Sequence, residues 1–206
     1  MTAREREEYR ALRATIRERG TARSWTCVVG LIVWAGLGLM IAIRLPSGPL
    51  TTLFSLLVLA ATFEAIFALH VTVERIGRYI QVFYEEHDPD QNGKPGASVG
   101  TAASGGWERT AMALGRPLAG TGADPLFAAL FGLATLLNLV AALSASPTAV
   151  EIGVSGATHA ILLVRIAIAG GLAARRRDAD LERFRQIKSA PALPTRPMYQ
   201  SGNKVD

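Results

Sequence analysis

Glu64, Asn138, His159 and Arg165 sit inside otherwise apolar stretches of this chain, and their types bound the chemistry open to it. Glu64 lies in "LTTLFSLLVLAATFEAIFAL", Asn138 in "LFAALFGLATLLNLVAALSA", and His159 and Arg165 in "GATHAILLVRIAIAGG". A carboxylate and a guanidinium can neutralise one another as an ion pair or, when hydrated, line a path for protons or ions. An amide and an imidazole can clamp two helices by a hydrogen bond, or relay a proton. The choice depends on whether these stretches cross a membrane and on the depth of each residue.

The apolar residues come in blocks with the charges between and beyond them. The chain has 206 residues, 50% hydrophobic and 19% charged, with a mean hydropathy of +0.25. Four blocks are long enough to cross about 30 Å of hydrocarbon: Trp25 to Ile43, Leu50 to Leu69, Leu126 to Ala145, and Ile152 to Ala174. "RLPSGP" joins the first two and "SPTAVE" the last two. Links this short make antiparallel neighbours. The expected fold is therefore all-α, an integral membrane four-helix bundle built from two transmembrane hairpins with helical extensions at one end.

The basic residues set the orientation. Seven arginines (Arg4, Arg6, Arg10, Arg13, Arg17, Arg19, Arg23) precede the first block, five Lys/Arg lie in the long middle connection, and eight follow the last block. The short links hold only Arg44. Such asymmetry places both termini in the cytoplasm of a multi-pass protein of the bacterial inner membrane. It also explains the net charge of +5 without a nucleic-acid partner, for which the cations would cluster on a soluble fold.

Depth then pairs the polar residues. Arg165 is 13 residues from the outer end of its span and Glu64 is 14, about 20 and 21 Å at 1.5 Å per residue. They are expected at one level, as an intramembrane ion pair facing the bundle interior. His159 and Asn138 each lie about 10 Å from the outer end, the spacing for an interhelical polar clamp.

Other constellations lead nowhere. His70 and His159 lie at opposite ends of the membrane and cannot share a haem. His70 and Glu74 share a helix face, but two ligands do not make a metal site. "DPDQNG" has the Asp88, Asp90, Asn92 and Gly93 of a calcium loop, but the twelfth position is Val99 rather than a bidentate Glu. The lone Cys27 excludes an internal disulfide, and "GRPLAGTG" lacks the Lys-Ser/Thr of a phosphate loop. No cofactor, metal or catalytic residue is expected.

The extensions are legible too. Residues 1–24 form a basic amphipathic helix, with Thr2 and Glu5 at capping-box spacing, a Tyr9, Leu12 and Ile16 stripe, and Gly20 as its end or bend. Residues 25–72 form the first hairpin. Residues 73–124 continue its second helix to about Glu86, enter a Gly/Ser/Pro loop, and place a short amphipathic helix at Trp107 to Leu114. Residues 125–174 form the second hairpin. Residues 175–206 extend the last helix, with Leu181, Phe184 and Ile187 on one face, and end in a disordered tail. The extensions are expected to pack as a small cytoplasmic bundle, with Arg75, Arg78, Tyr79, Phe83, Trp107 and Glu108 as its interaction surface.

Arg75, Ile76, Tyr79, Ile80, Phe83 and Glu85, followed by Trp107 and Glu108, give a pattern that resembles small multi-spanning bacterial membrane proteins of uncharacterised function. The resemblance implies no activity and places the distinctive chemistry on the cytoplasmic face. Small residues at Gly38/Ala42, Ala128/Gly132, Gly156/Ala160 and Ala167/Gly171 imply close helix packing, within one bundle or between copies. The sequence thus points to a non-enzymatic, self-associating scaffold with the lipid bilayer and a cytoplasmic protein as partners. The alternative is a small ion channel or proton-coupled transporter using Glu64, Arg165, His159 and Asn138.

Overall fold

The computed structural model describes residues 2–44, 49–85 and 125–190. Helix α1 spans Ala3–Arg44, 42 residues without a break, about 63 Å of rod. Thr2 and Glu5 cap its start reciprocally: the Thr2 amide donates to Glu5 Oε2 at 2.6 Å and the Glu5 amide to Thr2 Oγ1 at 3.3 Å. The helix does not end at Gly20, one of the two outcomes the sequence suggested. A mid-helix glycine costs only about 1 kcal/mol, and no competing cap follows it. Thr21 and Ser24 instead donate back to the Arg17 and Gly20 carbonyls.

A 3-10 turn at Pro49–Thr51 leads into α2, Thr52–Ile80, whose last turn widens into a π turn at Gln81–Glu85. Lys188 Nζ donates to the Val82 carbonyl inside that turn at 2.7 Å, tying the last helix to it. Helix α3 spans Pro125–Ser144 and α4 spans Ala149–Ser189. Between them Ser146 takes a left-handed φ of 53°, and Thr148 opens α4 with a capping box to Glu151.

All four helices are long and apolar enough to cross a membrane, the build of an integral, multi-pass membrane protein. Their outward faces agree with this. Ile32, Leu39, Val140 and Ile161 are each more than 60% exposed, which suits contact with lipid and not with water. The finish of α1, the start of α2 and the finish of α3 lie at one end, and the start of α1 and the finish of α4 lie at the other, charged end.

Helix α2 is the element against which the others pack. Leu59, Phe63, Ile66 and Phe67 form a buried cluster with Cys27 of α1, Phe131 and Ala134 of α3, and Leu162, Ile166, Ala169 and Ala173 of α4. Helices α1 and α2 approach closely where Gly30 lies directly against Thr62. Gly38, Gly132, Gly156 and Gly171 meet no neighbour within 4 Å of where a Cβ would stand, so the bundle does not use them for tight packing. Helices α2 and α4 run parallel, and the ties between them slip by about one helical turn along their length. Their paired residues are 101, 105 and 106 positions apart at Glu64/Arg165, Arg75/Asp180 and Val82/Lys188.

Candidate functional site

The level nearer the hairpin links is a closed polar network. His159 Nδ1 is 2.7 Å from the Ser155 carbonyl, which can only accept, so that nitrogen carries the proton. Nε2 is then the acceptor for Asn138 Nδ2 at 3.0 Å. The second Asn138 N–H donates to the Thr52 carbonyl at 3.1 Å, and Asn138 Oδ1 accepts from Ser55 Oγ at 2.5 Å. Ser55 Oγ is also 2.8 Å from the Thr52 carbonyl, so its single proton has two acceptors. His159, Ser55 and Ser155 are at most 1% exposed, and Asn138 is 6%. One amide thereby ties α2, α3 and α4 together. Depth matching brought Asn138 and His159 to one level; it missed Ser55, which lies about 8 Å below Leu50 by the same rise.

Asn138→Leu is expected to destabilise the bundle by about 1–3 kcal/mol, the cost of one buried unsatisfied group. Ser55 falls back on the Thr52 carbonyl, so the group stranded is His159 Nε2. Adding His159→Leu is therefore expected to recover most of the loss, because replacing both partners by apolar groups is close to neutral. Reversible unfolding of the three variants in mixed micelles checks this.

The second level is the ion pair. Arg165 Nε meets Glu64 Oε1 at 2.8 Å and Nη2 meets Oε2 at 2.8 Å, a bidentate fork. The guanidinium also lies over the Phe67 ring, 4.6 Å from its centroid, and 5.7 Å from that of Phe63. Its Nη1 has no hydrogen-bond partner among the described residues. The pair does not face the bundle interior. Glu64 is 49% exposed and Arg165 26%, at the edge of a groove between α2 and α4. Buried Leu59, Phe63, Phe131 and Leu162 occupy the core.

At the charged end the chain beyond the apolar segments builds a platform. Arg23 Nη1 reaches His70 Nδ1 at 3.2 Å, and its guanidinium lies over Phe127, tying α1 to α2 and α3. His70, Glu74 and Arg78 follow along α2 at 3.8 and 3.6 Å; Arg78 is 2% exposed. Farther out, Tyr9, Tyr79, Phe83, Tyr84 and Phe184 form one aromatic cluster, with Tyr79 centred 4.6 Å from Phe83 and 5.8 Å from Phe184. Tyr79 also donates to Glu8 Oε1 at 2.9 Å. Burial and that carboxylate push the phenol up to about 12, so it stays a donor through the physiological range. Arg75 pairs with Asp180 at 3.0 Å.

Of the proposed interaction surface, then, Arg75, Arg78, Tyr79 and Phe83 come together, with Arg78 and much of Tyr79 turned inward as packing groups. Trp107, Glu108, the helix expected around them, the 88–99 loop and the 191–206 tail lie outside the described residues. Sequence reading did not find Glu8 or Lys188, whose partners lie on other helices. Among the described residues no three His, Cys, Asp or Glu side chains converge as a metal site would require. Compared with known proteins, the chain matches no family model, no curated protein and no solved structure at a significant level.

Proposed function

We propose that this is a non-enzymatic protein of the bacterial inner membrane, with both termini cytoplasmic, that self-associates and presents a rigid helical platform to a cytoplasmic protein partner. The observation that carries the reading is the continuity of α1, α2 and α4. Each leaves its apolar segment without a break and enters the aromatic cluster of Tyr9, Tyr79, Phe83, Tyr84 and Phe184. Hinged linkers would suit a tethered module; unbroken rods suit a surface held at fixed height. The orientation rests on the basic residues of that end.

The channel reading draws less support from the geometry. A path through one bundle would join the two polar levels, and buried Leu59, Phe63, Phe131 and Leu162 belong to the packed core between the helices. The Glu64–Arg165 pair also opens sideways. Reconstitution into liposomes under a proton gradient tests the choice. The scaffold reading expects no flux above that of empty vesicles, and steady pH-dependent flux would sink it. Native mass spectrometry in mild detergent should show more than one copy; a monomer would remove self-association.

A further inference from the structure

An ion pair that opens onto hydrocarbon is a surface in need of cover. Glu64 is about half exposed at a depth where uncompensated charge is costly. On α2, Leu57, Ala61, Glu64 and Ala68 are all exposed, as are Ile161, Val164 and Ile168 on α4. Their alternating spacings of three and four are those of a helix seam that meets other helices. Among the described residues no further helix covers these rows. Between the two rows lies a groove of about 340 Å³, walled by Leu53, Leu57, Ala60 and Ile161 and ending at Glu64 and Arg165.

Charge and symmetry together name the occupant. Copies of a membrane protein share one orientation, so a two-fold axis between them stands along the membrane normal, and the contact it makes is self-complementary. Helices α2 and α4 are parallel and adjacent. An axis standing just outside their groove sets α2 of one copy opposite α4 of the other. Glu64 then faces Arg165 of the second copy at the same depth, and the reverse holds across the axis. The four charges alternate in sign, and the half-exposed carboxylates are removed from lipid. A lipid chain in the groove would fill the space and leave the charges uncovered.

We infer that the α2/α4 groove is the contact face for a second copy of this chain, sealed at its centre by reciprocal Glu64 and Arg165 pairs. The inference rests on the self-association proposed above and adds the face through which it occurs. Two differently tagged chains, both carrying Cys27→Ser, test it in native membranes, one with Ala61→Cys and the other with Ile161→Cys. Oxidation is expected to join the two tags, because these residues stand opposite one another across the axis. Val29→Cys in both chains, on the exposed face of α1, is expected not to. Glu64→Gln in both chains should weaken the dimer about tenfold, the equivalent of 1.4 kcal/mol. Oligomers that cross-link through α1 and not through the groove would overturn the inference and leave the scaffold reading standing. Monomers, with or without bound lipid, would overturn both. The cysteine arm leaves the charged residues intact, so a Glu64 variant that fails to fold does not weaken the test.

Discussion

Glu64→Gln is expected to destabilise the protein by about 2.5–3.5 kcal/mol, the cost of leaving an unpaired arginine near the middle of the membrane. The variant removes the negative charge and one arm of the fork at 2.8 Å, since an amide nitrogen cannot accept, while the Phe63 and Phe67 rings hold the guanidinium where it is. Arg165→Gln should cost less. A stranded carboxyl can shed its charge by taking up a proton, and a guanidinium cannot. This asymmetry distinguishes a structural pair from two independent surface charges, which would give small and similar losses. The exchange Glu64→Arg with Arg165→Glu should recover part of the loss but not all, since the relocated arginine no longer lies over Phe67. Unfolding of the four proteins in mixed micelles provides the cycle, and a pair energy near zero would remove the pair from the structural account.

Gly30→Leu is expected to separate α1 from α2 at a cost of about 3 kcal/mol, at the upper end of the usual penalty for overpacking. Even a Cβ at Gly30 would collide with Thr62 Cγ2 and Oγ1 and stand 2.8 Å from Thr62 Cβ. Thr62 cannot swing away freely, because its hydroxyl donates to the Val58 carbonyl at 2.7 Å. Gly30→Ala should therefore cost about 1 kcal/mol or more, and adding Thr62→Ala should relieve it only in part, because the Cβ contact remains. Gly38→Ala, where nothing stands within 4 Å, is the control and should be neutral or stabilising by up to about 1 kcal/mol. Equal effects at Gly30 and Gly38 would mean that the close approach is not what matters.

Depth was legible in the sequence, and azimuth was not. A transmembrane helix rises 1.5 Å per residue with little freedom, so counting from the span ends brought Glu64 level with Arg165 and Asn138 level with His159 before any fold was known. Counting gives no information about rotation around the helix axis. That rotation is set by which side chains α2 buries, and it left Glu64 on the outside when an interior position was expected. The same blindness affected the glycines. Four small-residue pairs were chosen for their spacing, and the tight contact formed at Gly30, which belongs to none of them. Spacing shows where helices are able to approach; the partner's side chain, here Thr62, decides where they do. Gly20 shows a third limit, since a residue that often ends helices in water has little effect when both flanks are strongly helical. The capping boxes were readable from Thr-x-x-Glu at Thr2 and at Thr148, and the second lies inside what reads as a plain link.

The three ties between α2 and α4 have a mechanical meaning. From Glu64/Arg165 through Arg75/Asp180 to Val82/Lys188 the two helices are fastened at intervals along their length, like a shaft keyed at several points. Such a shaft transmits angle as well as position. One residue inserted into α4 between Arg165 and Asp180 would turn everything beyond it by about 100°, carrying Asp180 away from Arg75 and Phe184 away from Tyr79. Four residues would return it to within about 40° of its original facing. The orientation of the platform at the charged end is thus tied, through α2 and α4, to the ion pair within the membrane.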